Sequence, residues 1–356
     1  MRGIGIGIGG AAGFAGPRRA WRTRRIPSLA RLLPFLSLSL SLVARVEAQT
    51  THLVIISGLS GEERFARDFS AWTSQLARAA EERHGVPGAN ITVLSEAGAG
   101  AAKSTKENVA AALRRVGSQA GAADDVAIVL FGHGSASGPE GRINLPGPDL
   151  TTSELATLLD GLTVRRTIVV NTASASGAFL VPLAKPGRII ITATKSGMEQ
   201  NETMFPRFFV AAFTGDGADA DRDGRVSMLE AFTYAKREVE RAYASDRRLL
   251  TEHAQLEADG DGKPDAEVVA ARGDGAAARA VFLGASAATA AAAAPADASP
   301  ELRALYEEKR RLEGELETLR ERRESLPSAE YQQSLERLLL ELSRNGQAIR
   351  RLEGGS

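Results

Sequence analysis

Short runs of consecutive apolar residues punctuate the middle of the chain. They alternate with stretches in which apolar residues recur every three or four positions. Five runs read as strands: 53–57 (LVIIS), 91–94 (ITVL), 126–131 (VAIVLF), 167–170 (TIVV) and 188–192 (RIIIT). Near-continuous apolar strands of this length suit a parallel sheet covered on both faces. Helical periodicity falls near 62–84, 105–118 and 152–161, and Thr151 followed by Glu154 spells a capping box for the third helix. Strand–helix alternation over 50–284 predicts one doubly wound α/β domain.

The pattern changes after that domain. Residues 285–299 (ASAATAAAAAPADAS) are a low-complexity linker opening onto Pro300. Beyond it, Leu302, Leu305, Leu312, Leu316, Leu319 and Leu326 recur at heptad spacing, with Lys309 and Arg323 on the same seam. A second seam uses Leu335, Leu338, Leu342, Ile349 and Leu352, with Asn345 filling the gap. Leu326-Pro327-Ser328 separates the two. Region 300–353 therefore predicts a helical pair, either a hairpin, a short self-associating coiled coil, or two helices folded back on the main domain.

Charge and composition sharpen the picture at the amino terminus. Lys+Arg and Asp+Glu both number 44, yet the first 48 residues hold eight arginines and one acid, Glu47. The remainder has 36 basic and 43 acidic residues, a net charge of about −7, with no electrostatic footprint for nucleic acid. The basic segment leads into an apolar run at 32–43 and then Val46 and Ala48, the pattern of a secretory signal cut after Ala48. As a membrane anchor the run is short for a bilayer of about 30 Å, so no stable span is expected after cleavage. Cysteine is absent, which excludes disulfides, thiolate metal ligands and a thiol nucleophile.

Two glycine-bounded motifs follow consecutive strands. Phe131-Gly132-His133-Gly134-Ser135 ends the third, and Asn171-Thr172-Ala173-Ser174-Ala175-Ser176-Gly177 ends the fourth. Strand ends of this kind are where open α/β sheets hold their ligands. In their order and spacing these motifs resemble the histidine and nucleophile motifs of the legumain-like and bacterial caspase-like cysteine peptidases. Gly58 and the Asp-Leu-Thr-Thr segment at 149–152 also sit where that family has counterparts. The resemblance covers about residues 50–245. It implies a six-stranded caspase-type sheet, peptide-bond hydrolysis or transpeptidation as the family activity, and His133 with Ser174 as the dyad positions.

Ser174 stands where the family has cysteine. A thiol reaches its thiolate near neutral pH, whereas a serine hydroxyl needs an oriented base during attack. No orienting carboxylate is identifiable in the sequence, and Ala175 replaces the acid that follows cysteine in legumain. The expectation is a non-proteolytic binding or scaffold module for a peptide or protein ligand. The alternative is a hydrolase using Ser174 or Ser176 with His133, and backbone N–H groups near Gly134 as its oxyanion hole.

The strongest motif is a calcium loop. Asp219, Asp221, Asp223, Gly224, Arg225, Ser227 and Glu230 fill positions 1, 3, 5, 6, 7, 9 and 12 of the EF-hand pattern. The aspartates and Glu230 supply carboxylate oxygens, Arg225 its carbonyl, Ser227 a hydroxyl that often acts through water, and Gly224 the turn. An apolar segment at 204–213 precedes the loop and an amphipathic helix at 227–244 follows it. A second run, Glu257-Ala258-Asp259-Gly260-Asp261-Gly262-Lys263-Pro264-Asp265, has the first half of the pattern. Val268 stands where its closing Glu belongs, so a looser second site and a solvated loop both stay open. The full expectation is an exported α/β protein. It carries a caspase-like three-layer α/β/α domain over 49–284, a mostly parallel sheet, an EF-hand-type Ca2+ loop at 219–230, and a C-terminal helical pair.

Overall fold

The computed structural model describes residues 50–222, 224–265, 267–284, 299–321 and 327–353. The segment read as an export signal, the linker at 285–298, and Asp223, Arg323 and Leu326 lie outside them. Among the described residues no helix is long and apolar enough to cross a membrane.

The five apolar runs form five parallel strands: β1 (Thr51–Ser57), β2 (Ile91–Leu94), β3 (Asp125–Phe131), β7 (Arg166–Asn171) and β8 (Arg188–Thr192). A sixth, β9 (Gln255–Glu257), runs antiparallel to β8, and the sheet order is β2-β1-β3-β7-β8-β9. Alternate residues of each strand serve opposite faces. Leu53, Ile55, Val129, Phe131, Val170 and Ile191 face one apolar layer. It contains α1 (Glu63–Glu82), α5 (Phe205–Thr214) and α6 (Met228–Ser245). Val54, Ile56, Val126, Ile128, Leu130 and Val169 face the other, made with α2 (Lys106–Gln119), α3 (Thr152–Asp160) and α4 (Leu180–Leu183). The result is a three-layer α/β/α arrangement. The capping box on α3 is present in full: Thr151 Oγ1 accepts the Glu154 N–H, and Glu154 accepts the Thr151 N–H.

Register brings the functional loops to one edge. Ser57 pairs with Phe131, Leu130 with Asn171, and Asn171 with Thr192. The segments after β1, β3, β7 and β8 therefore leave the sheet side by side. After β3 the chain makes a small antiparallel sheet of β4 (Gly134–Ser137), β5 (Glu140–Ile143) and β6 (Leu150–Thr151).

The C-terminal region is an intrachain hairpin of α8 (Pro300–Glu321) and α9 (Ser328–Glu353). Leu302 and Tyr306 near the start of α8 pack with Ile349 near the end of α9, and Leu312, Leu316 and Leu319 pack with Leu338. Asn345 interrupts the seam. Its amide donates to Leu305 O at 3.0 Å, while its own Oδ1 is buried with no partner. An unpaired buried acceptor is destabilising, so Asn345→Leu is expected to stabilise the hairpin by about 1 kcal/mol. Urea unfolding followed by circular dichroism measures this, and a loss of stability would refute the packing.

Candidate functional site

The two glycine-bounded motifs meet at the carboxyl edge of the sheet. Close backbone approach requires glycine at 134: a Cβ there would lie 2.5 Å from Ser174 O. The same holds at Gly58, where a Cβ would lie 2.5 Å from Asn144 O. Ala175 follows Ser174 in a left-handed conformation, φ 55°, and its N–H donates to Glu199 O at 2.7 Å. The turn thus presents Ser174 directly to the start of β4.

Ser174 is buried and fully engaged there. Its Oγ accepts the Gly134 N–H at 3.2 Å and donates to Gly134 O at 3.0 Å. The proton a base would have to remove is held by a backbone carbonyl. The N–H that would form an oxyanion hole is spent on Ser174 itself. His133 turns elsewhere: Nε2 lies 3.1 Å from Ser60 O, and the ring stands edge-on against Phe65, 4.4 Å between centroids. No hydrogen bond joins His133 to Ser174 among the described residues. Glu96, on the far side of Ser60 in this hydrogen-bond chain, accepts from the Ser60 N–H and hydroxyl at 2.9 and 2.6 Å and does not bond the imidazole. Ser176 stands two residues on in the same turn. It is fully buried, with its hydroxyl on Thr194. Ser174→Ala should destabilise the domain by about 1–2 kcal/mol, because two backbone groups of Gly134 lose their partner. Chemical denaturation checks this, and an unchanged midpoint would contradict the assignment.

Beyond β8 lies a cavity of about 220 Å³, lined by Lys195, Phe205, Lys236, Glu240, Glu252 and His253 among others. Its chemistry is carried by residues far apart in sequence and in no motif. Glu199 binds His253 Nδ1 at 2.5 Å and also accepts the backbone N–H groups of His253 and Lys195. Glu252 is 3% exposed and accepts N–H groups of Met204 and Phe205 at the start of α5, at 2.7 and 3.2 Å. Burial pushes its carboxyl up to about 7 despite those donors.

The acidic loop between α5 and α6 is assembled around Glu230. Oε1 accepts the Ala220 and Asp221 N–H groups, at 2.9 and 3.4 Å, and Oε2 accepts the Ser227 N–H and hydroxyl, at 2.9 and 2.8 Å. Ser227 Oγ in turn accepts the Glu230 N–H, completing a capping box at the start of α6. Carboxylate oxygens of Asp219, Asp221 and Glu230 lie within 4.8 Å of one another. Gly224 turns the chain at φ 83°, and its N–H donates to Asp219 at 3.0 Å. The Arg225 guanidinium packs over Phe282. Met228 N–H donates to Val281 O at 2.7 Å, tying the loop's exit to the segment after α7 (Gly273–Arg279). The donor set is all oxygen and anionic, which fits a hard divalent cation.

No family model matches the chain, and no curated protein does. Among solved structures it is similar to a Geobacter sulfurreducens protein at 14% identity and a TM-score of 0.39, over 57% of this chain and 92% of that one.

Proposed function

We propose that this chain is an exported, calcium-stabilised module whose caspase- and legumain-like α/β domain binds a peptide or protein without cleaving it. The observation that carries the reading is the Ser174 hydroxyl, which both accepts from and donates to the Gly134 backbone. Among the described residues no base bonds that hydroxyl, and serine attack requires transfer of its proton. The six-stranded sheet and the convergence of the two motifs at its carboxyl edge support the family resemblance. The absence of cysteine removes that family's nucleophile.

Calcium is the cation the loop at 219–230 suits best. Magnesium demands a small octahedral shell and keeps several waters, whereas a flexible loop offering many oxygens favours the larger ion. Asp219, Asp221 and Glu230 would hold it, with Asp223, the Arg225 carbonyl and Ser227 completing the shell. When bound, the ion would neutralise converging carboxylates and pin α6 against α5. The cavity with both Lys195 and Glu240 on its wall is the recess we assign to a ligand side chain. Leu339 and Leu340 are about half exposed on α9, and they are the surface through which 300–353 would self-associate.

The test is a mixed peptide library incubated with the protein in calcium, beside Ser174→Ala and His133→Ala. No cleavage by any of the three is expected from folded protein. Cleavage by the wild type that both variants lose would establish a serine hydrolase instead.

A further inference from the structure

We propose that the loop from Glu257 to Asp265 is a second calcium site, with Glu257, Asp259 and Asp261 as carboxylate ligands and Asp274 as its closing residue. Nothing in this proposal depends on the 219–230 loop being occupied.

The starting observation is Glu257, the last residue of the edge strand β9. Its side chain is fully buried, and Oε1 accepts the Gly262 N–H at 3.1 Å. Oε2 is buried with no hydrogen-bond partner. A buried carboxylate oxygen without a donor is among the least tolerated groups in a protein interior, and a proton, a water or a cation satisfies it. Oxygens of Glu257, Asp259 and Asp261 lie within 4.8 Å of one another. Among the described residues no Lys or Arg forms an ion pair with these three, nor with Asp265 or Asp274. Among the described residues no counter-charge is present, and a cation from solution would supply it.

The two loops then share four backbone hydrogen bonds. In the first, the carboxylate at position 1 (Asp219) accepts the N–H of the glycine at position 6 (Gly224). In the second, Glu257 accepts the N–H of Gly262, five residues on, which also has positive φ, 75°. In the first, Glu230 accepts the N–H groups of positions 2 and 3 on one oxygen and of position 9 on the other. In the second, Asp274 Oδ1 accepts the N–H groups of Ala258 and Asp259, at 2.6 and 3.3 Å, and Oδ2 that of Asp265, at 2.8 Å. These are again positions 2, 3 and 9. Asp274 thus does for the second loop what Glu230 does for the first, although it arrives from α7 rather than from position 12. Val268 at position 12 leaves the role open, and the chain between Asp265 and Asp274 brings the acid back by a longer route. Asp274 is buried and donates its own N–H to Asp265 at 3.1 Å, so the closing strut is rigid. Occupied, the site would lock the edge strand β9 to α7.

Calcium bound per chain is counted by equilibrium dialysis of the full chain against ⁴⁵Ca²⁺, with magnesium as the control ion. Two calcium ions per chain are expected for the wild type. One is expected for Glu257→Gln, and one for Glu230→Gln. Asp261 is exposed, so Asp261→Asn leaves the fold intact, and it should weaken one of the two sites about tenfold or more by removing a ligand charge. One ion in the wild type, lost in Glu230→Gln and kept in Glu257→Gln and Asp261→Asn, would overturn this proposal alone. One ion lost in Glu257→Gln and kept in Glu230→Gln would uphold it and overturn the reading of the 219–230 loop.

Discussion

Glu230→Ala should lower stability by about 3–4 kcal/mol in millimolar calcium, and by only about 1 kcal/mol in chelator. The smaller figure is the loss of a capping box, in which Glu230 and Ser227 satisfy each other's N–H groups at the start of α6. The larger adds the linkage of cation binding to folding, about 2.7 kcal/mol when calcium stands at a hundred times its Kd. Without a cation, Asp219, Asp221 and Glu230 repel one another at close range. With one, the repulsion becomes coordination. Urea unfolding of wild type and variant, each with calcium and with EGTA, separates the two contributions. A wild-type midpoint indifferent to EGTA would remove the cation from the account and leave only the cap.

Stability should also fall as pH rises from 5 to 8, and Glu252 should carry much of the fall. Its carboxyl sits at about 7 in the fold, against an ordinary value of 4.5, because burial penalises the charged form. For an acid raised in this way the native state binds more protons than the unfolded chain. Its contribution is fully present below about 4.5 and is lost as pH passes through about 7. The difference between the two values corresponds to about 3 kcal/mol. Glu199, nearby, adds like-charge repulsion in the same direction, and the Met204 and Phe205 N–H groups oppose it. Glu252→Gln should flatten the stability profile between pH 5 and 8, since an amide has nothing to titrate. A profile of unchanged slope in the variant would assign the dependence to other groups.

The layered architecture was legible because its strands are long apolar runs, and such runs have one comfortable place in a parallel sheet. The elements that escaped are short and polar. Strands β4 (GSAS) and β5 (EGRI) have little apolar content, and β9 has three residues. They form because neighbours hold them, as when Ser174 grips both backbone groups of Gly134. The heptad seams announced helices but could not choose their partner. The packing of Leu302 and Tyr306 on Ile349 pairs them with each other. Glu199 and His253 stand 54 positions apart and touch only after β8 and β9 pair, so no local pattern could have linked them. Asp274 escaped for a similar reason. A twelve-residue template looks for its closing acid at Val268, and the acid that closes the loop is six residues further on. It is the first carboxylate after Val268.

Ser174, held by both backbone groups of Gly134, should behave as a structural hydroxyl and not as a nucleophile. A fluorophosphonate probe tests it directly, because such reagents phosphonylate serines whose proton is taken by a neighbouring base. The folded protein in calcium is incubated with probe, digested, and the peptide containing Ser174 is weighed by mass spectrometry. This peptide is expected to keep its unmodified mass. A phosphonylated Ser174 in the wild type, absent from His133→Ala, would contradict it.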